Sequence, residues 1–286
     1  ISPRRYLGLQ MLAVTIAGIL AAFIGSRARC LTLSSGALAA LFLALPYLYA
    51  LGTGRPYWLN AEGAALFWVL SGVVVLGAWA SIRNAWHLLP PLVAGGQLIT
   101  AVLVSVSMEH PYRQTLPLRH ATDAVRIGPE GSTLLLSKDL AEYVRGLRRL
   151  ADKGGFETNT PMIDLTGYSP GAVYALGGNA LGAPWLIGGY HGSARSATTV
   201  LDAVSCDELA VAWILTEPGG PNEIPLDILK RYGIDPEAGL EEIGATHSPG
   251  GASATRYAQH LLKPAHPAEA RRACERQRSQ TRAAGK

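Results

Sequence analysis

The chain has 286 residues and a modest net charge of +4, enough length for about two domains. Glu62 is the only acidic residue within 1–108, and Glu109 lies just past it, so residues 109–286 carry nearly all the charge. Much of the positive excess sits in the tail from Arg271 onward, which reads as a solvated segment and gives no reason to expect a nucleic-acid partner. The three cysteines, Cys30, Cys206 and Cys274, have no metal-binding spacing. The chain also lacks a P-loop, a dinucleotide fingerprint and an H-E-x-x-H motif.

Residues 1–108 read as a transmembrane helical region with spans at 7–26, 31–51, 61–82 and 88–108. Each span has about 20 residues, enough for about 30 Å of hydrocarbon. Pro46 falls inside the second, while Pro90 and Pro91 fall in the first turn of the fourth, where a missing N–H costs little. A soluble helix bundle would need a polar face, and these segments lack one. Tyr47, Tyr57, Trp58 and Trp86 lie near span ends, as an aromatic belt requires. No span has an acidic residue in its middle, and Gln97 is the main polar side chain at depth, which argues against ion or proton transport.

Arginines set the expected orientation. Arg27, Arg29 and Arg83 place the first and third connections in the cytoplasm, against Arg55 in the second. That puts the C-terminal domain outside, in the periplasm of a bacterium, although Arg4 and Arg5 argue the other way. The chain opens on Ile1 rather than Met and reads as a fragment or processed product of a multi-pass inner-membrane protein.

Residues 109–131 read as a polar linker, 132–265 as a soluble α/β domain, and 266–286 as a disordered basic tail. Within the domain, 132–136 is a strand. Ser137 caps a helix to about 153, with Leu140, Val144, Leu147 and Ala151 on one face and Gly154 and Gly155 as the stop. A strand at 161–165 is followed by Ser169 and Pro170, an N-cap and first-turn pair for a short helix ending near Gly177. The Gly-rich stretch 177–196 leads to a helix at 197–204, a buried-type strand at 209–215, a helix at 226–232 and a weaker strand at 240–246. The fold class expected is therefore four transmembrane helices followed by a small α/β domain with a mainly parallel sheet, covered on both faces.

In such sheets, ligands bind beyond the carboxyl ends of the strands. That edge carries Ser137 and Lys138, then Asp164 through Ser169, then Thr216 and Glu217. The same residues also read as caps and turns without a ligand. Gly167-Tyr168-Ser169-Pro170-Gly171 matches a nucleophile elbow, with Asp202 or Asp235 and His247 or His260 available for a triad. The residue after the nucleophile must donate its N–H to the oxyanion, and Pro170 has none, so a helix cap explains Ser169 better.

The run WLIGGYHGS from Trp185 to Ser193 sets glycines around aromatic faces and a histidine, a loop able to approach a sugar or phosphate. A plain Gly-rich turn packing its aromatics is the alternative. The candidate substrate-binding residues are Lys138, Asp164, Tyr168, Ser169, Trp185, Tyr190 and His191. Arg113 and Arg119, with His110 and His120, follow the last span and are placed to meet lipid phosphate or to anchor at the interface. Cys206 and Cys274 can pair if the domain faces an oxidising compartment. No catalytic residue and no metal ligand is assigned.

Apolar spans followed by an α/β domain with the runs DLTGYSPGAVYALGG and PWLIGGYHGS resemble the C-terminal part of bacterial GT-C type membrane glycosyltransferases. These are relatives of protein mannosyltransferases and lipid A aminoarabinose transferases. The resemblance implies inverting sugar transfer from a polyprenyl-phosphate donor, often assisted by a divalent metal, with the external domain helping to bind donor or acceptor. Its catalytic acid would lie in the first external loop. This sequence has no aspartate before Asp123, so no catalytic residue carries over. The alternative is a non-enzymatic membrane protein whose external domain binds a partner or cell-envelope component.

Overall fold

A computed structural model of the chain describes residues 11–13, 15–20, 32–51, 57–84, 86–109, 111, 116–249 and 256–284. The chain divides into two compact units, Ile1–His110 and Pro111–Lys286.

The first unit is helical: α1 (Met11–Leu20), α2 (Leu33–Ala50), α3 (Tyr57–Gly63), α4 (Leu66–Arg83) and α5 (Leu89–Glu109). Thr32 caps α2 by accepting from the Ser35 N–H at 3.2 Å. Small residues let helices approach closely. Gly72 abuts Leu92 and Thr15, Gly96 abuts Val69, and the Ser71 hydroxyl donates across to the Ala39 carbonyl at 2.8 Å. Trp68, Ala61 and Ala65 are buried, while Leu41, Leu48, Leu98 and Val104 are exposed. Exposed leucines with no opposing polar face are what a lipid environment selects.

The expected four spans are corrected here. Among the described residues, two helical stretches, Leu33–Ala50 and Trp86–Glu109, are long and apolar enough to cross a membrane. The expected span 61–82 is interrupted. Gly63 ends α3, and tight bonds from the Ala64 N–H to the Ala61 carbonyl and from the Ala65 N–H to the Glu62 carbonyl form a turn. The apolar helix beyond that turn covers only Leu66–Ile82. Of the expected span 7–26, residues 7–10, 14 and 21–26 lie outside the described residues, and the helix there is Met11–Leu20.

The second unit opens with an antiparallel hairpin of β1 (Asp123–Ile127) and β2 (Ser132–Leu136), so a strand lies within the stretch expected to be linker. Then come α6 (Lys138–Gly154), β3 (Pro161–Asp164), α7 (Pro170–Leu176), β4 (Asn179–Ala180), α8 (Ser193–Leu201), α9 (Cys206–Ala210) and β5 (Trp213–Thr216). A 3-10 segment, Leu226–Tyr232, precedes β6 (Leu240–His247), β7 (Ala258–Pro264) and α10 (Pro267–Ala284). The stretch expected to be a disordered tail is thus a helix.

The sheet order is β4-β3-β5-β7-β6. β3 runs parallel to β4 and β5, but β7 is antiparallel to both β5 and β6. The sheet is therefore mixed, not mainly parallel. The helical crossovers α7 to α9 return β4 and β5 in the direction of β3, whereas β6 and β7 follow each other as an antiparallel pair. One face of the sheet packs Met162, Leu215 and Leu261 against Val144 and Leu147 of α6 and Val173 of α7. The other packs Ile163, Ile214 and Leu262 against Leu201 of α8, Leu209 of α9 and Cys274 of α10. Cys206 and Cys274 form a disulfide that ties α9 to α10.

Candidate functional site

Strand alternation sends Asp164, Glu217 and Gln259 to the face covered by α6 and α7. Asp164 ends β3. Its carboxylate accepts from the Thr166 N–H at 2.9 Å, the Thr166 hydroxyl at 2.6 Å and the Ser169 N–H at 3.0 Å. These bonds fix the turn that feeds α7. Burial pushes the Asp164 carboxyl above its usual range, opposed by the bonds from Thr166 and Ser169.

Glu217, one residue beyond β5, is fully buried. Its Oε2 accepts from the Gln259 amide at 2.7 Å and the Tyr168 hydroxyl at 3.1 Å. The same Gln259 amide donates to Ser169 Oγ at 3.2 Å, and the Gln259 carbonyl accepts from the Tyr143 hydroxyl at 2.6 Å. A chain of polar contacts therefore joins α6, β7, β5 and the β3–α7 turn. Among the described residues, the buried Glu217 Oε1 has no hydrogen-bond partner. Desolvation raises the Glu217 carboxyl, opposed by Gln259 and Tyr168, and Asp164 adds a like-charge push. Burial likewise raises the Tyr143 hydroxyl, helped by the charges of Asp164, Tyr168 and Glu217.

Backbone packing locks three loops above this network. Gly167 is left-handed, with φ of 76°. Its carbonyl accepts from the Gly188 N–H at 2.9 Å and from the Trp185 indole at 3.0 Å. A Cβ on Gly167 or Gly188 would overlap the Asn222 carbonyl oxygen. Gly188→Ala should therefore cost about 3 kcal/mol of stability, because backbone on backbone cannot relax by a rotamer change. Gly171→Ala, with nothing within 4 Å of the new methyl, is the neutral control. Equal thermal midpoints for the two variants would refute the interlock.

The interlock presents Trp185, Ile187 and Tyr190 at the surface, 41%, 50% and 66% exposed. The Tyr190 N–H donates to Ser193 Oγ at 3.1 Å, holding the loop against the start of α8. His191 is exposed on the same loop.

The structure thus gathers Asp164, Tyr168, Ser169 and Trp185 around one turn, with Tyr190 and His191 on the loop joined to it. Lys138 is exposed at the start of α6, outside the network. Arg119 is exposed in the 3-10 turn Leu118–His120, and Arg113 lies outside the described residues. Ser169 occupies the N-cap position of α7, but its hydroxyl makes no cap bond and accepts from Gln259 instead. Of the other triad candidates, Asp202 is engaged with Arg231 and Tyr232, His260 with Glu242, and Asp235 with the Glu237 N–H, while His247 is exposed at the end of β6. Gln259 and Tyr143 were not among the sequence candidates. Tyr143 adjoins the apolar stripe of α6, and a lone amide among the leucines of a strand was the signal available at Gln259.

Among the described residues, no three His, Cys, Asp or Glu side chains gather as a metal site would require, so no residue is assigned to a divalent metal. Comparison with protein-family models, with curated proteins and with solved structures gives no match.

Proposed function

We propose that this chain belongs to a membrane-anchored, glycosyltransferase-like protein whose α/β unit binds the sugar of a polyprenyl-phosphate-linked donor or acceptor. The observation that carries the reading is the pair Trp185 and Tyr190, exposed on a loop whose backbone is locked by Gly167, Gly188 and Asn222. Rigid, exposed aromatic faces stack on the apolar side of a sugar ring with little ordering cost. We place the chain as a multi-pass protein of a bacterial inner membrane with this unit in the periplasm. The apolar helices support the membrane, and the Cys206–Cys274 disulfide supports an oxidising compartment.

The test uses the full chain in lipid nanodiscs and a short-chain polyprenyl-phosphate mannose as probe. Trp185→Ala and Tyr190→Ala should each weaken binding about tenfold, or ~1.4 kcal/mol, with far-ultraviolet dichroism unchanged. Equal affinity for polyprenyl phosphate without the sugar would sink the reading.

One observation favours a second reading, a binding unit without catalysis. Asp164 and Glu217, the buried carboxylates of this edge, are both covered, so neither faces a substrate as an acid or base must. The ligand is then a cell-envelope saccharide. Sugar transfer from the same probe by membranes holding the chain decides between the two.

A further inference from the structure

β2 is an unguarded edge strand. Among the described residues it pairs with β1 alone, so its second edge has open N–H and C=O groups. Its sequence, STLLL, has no charge and no proline, and Ser132 to Leu135 are all exposed. The edges of the five-stranded sheet are protected by contrast. β4 has only two residues, and β6 carries Glu241 and Glu242 with a register shift between Glu242 and Gly244. A two-stranded sheet is also marginal by itself, since three or more strands are needed for independent stability. Open backbone groups along an uncharged edge are what a further strand requires.

The pattern of β2 fits its own copy. Residues opposite each other in an antiparallel pair share a face, so a strand pairs with its copy about a two-fold axis that passes at a residue. An axis at Leu134, the middle of the strand, uses the whole strand: Leu134 meets the copy's Leu134, Thr133 meets its Leu135, and Ser132 meets its Leu136. Leu134 lies on the inner face with Val125 yet is 46% exposed, and Leu135 on the outer face is 62% exposed. The pairing covers both, each beside a residue of the copy on its own face. Charge agrees with the same register. Glu130 lies four positions before Leu134, and Lys138 four after it. The axis therefore brings the hairpin turn of each copy, with Glu130, to the start of α6 of the other, with Lys138. Both residues are exposed, and among the described residues neither has an opposite charge as partner, whereas Asp139 is held by Arg256 at 3.0 Å.

We propose that two copies of this chain pair through β2, antiparallel and centred on Leu134, and so join their β1–β2 hairpins into one four-stranded sheet. Glu130 and Lys138 close the two ends of the pairing reciprocally. A short strand edge makes a small interface, of the weak class that forms where chains are concentrated. The pairing is independent of the sugar reading, because Trp185 and Tyr190 take no part in it.

The test uses single cysteines in the full chain, in a Cys30→Ser background with the Cys206–Cys274 disulfide intact. Membranes of expressing cells are oxidised mildly with copper phenanthroline, and the products are sized on a non-reducing gel. Leu134→Cys should give a covalent dimer, because residues at the axis have Cα atoms about 4.5–5.5 Å apart, within disulfide reach. Thr133→Cys and Leu135→Cys should link poorly alone but readily to each other when two differently tagged chains are co-expressed. Glu237→Cys, on an exposed turn, reads random collision. Glu130→Lys added to Leu134→Cys should lower the dimer yield about fivefold, through the loss of two exposed ion pairs, and adding Lys138→Glu as well should restore it. No dimer from Leu134→Cys or from the mixed pair overturns the proposal, and the mixed pair decides it if the Leu134 variant does not fold. Equal linking at 133, 134 and 237 means collision and overturns it. A product of another mass means that a different protein supplies the strand on this edge, which also overturns it. A yield unmoved by Glu130→Lys overturns the part given to the charges.

Discussion

Replacing Cys274 with serine should lower the stability of the α/β unit by about 4 kcal/mol, the chain-entropy value for a loop of this length. The bond joins residues 68 apart in sequence. Cys206 opens α9 just after the Ser205 cap, whose hydroxyl accepts from the Glu208 N–H at 3.2 Å. Cys274 is buried in the middle of α10, in the cluster that holds Leu201, Leu209 and Tyr232. Besides Cys274, Ala270 packs against that cluster, and further attachments of α10 are polar. Arg278 donates to the Val204 carbonyl at 2.6 Å, and Arg271 pairs with Asp207 at 2.8 Å across exposed side chains. Exposed pairs contribute little, so the covalent tie and the buried face hold the helix. Urea unfolding of the full chain in detergent, followed by tryptophan emission, measures the effect. Cys206→Ser should match Cys274→Ser, and the double variant should match either, because all three remove one bond. Additive losses, or an unchanged midpoint after reduction of the wild type, would show that the disulfide does not carry this stability.

The same helix shows where local sequence reading stops. Its arginine-rich composition resembles a solvated tail, and only the distant Cys206 reveals that one face is buried. The stripe Leu140, Val144, Leu147 and Ala151 was legible because helical spacing is local, and α6 indeed runs over Lys138–Gly154 with left-handed Gly155 as its stop. Pro170 likewise marked the start of α7. The membrane half misled for a physical reason. Gly63, Ala64 and Ala65 are as apolar as a helix interior, so hydropathy runs unbroken through a turn that divides α3 from α4. β7 was hidden because Gln259, His260 and Lys263 dilute its apolar pattern, although Gln259, Leu261, Leu262 and Pro264 are all buried. Missing β7 also concealed the antiparallel half of the sheet. At the site, Asp164 and Ser169 were visible as neighbours, whereas the Tyr143–Gln259 bond spans 116 positions and no short-range pattern encodes it.

Glu217→Leu should cost about 3 kcal/mol, because the Tyr168 hydroxyl and one bond of the Gln259 amide lose their acceptor inside the protein. Glu217→Gln should cost no more than about 1 kcal/mol, since an amide carbonyl can still accept from both. The two variants also differ in pH dependence. Burial raises the native carboxyls of Glu217 and Asp164, so the folded chain holds these protons to higher pH than the unfolded chain does. Stability from both groups is therefore fully present below the ordinary carboxylate range. It is lost as pH rises from that range through the raised native values. Asp202, held low by Arg231, works in the opposite direction and is present in every variant. Subtracting the Glu217→Gln profile from the wild type thus isolates Glu217. The difference should favour the wild type at acidic pH and shrink toward neutrality. Parallel profiles would mean that Glu217 ionises as freely in the native protein as in the unfolded chain. The network also braces the turn at Gly167, on which Trp185 and Gly188 hang. Glu217→Leu should therefore weaken sugar-probe binding while leaving the aromatic residues themselves intact. Retained affinity in a folded Glu217→Leu protein would confine the network to stability and leave recognition to the loop alone.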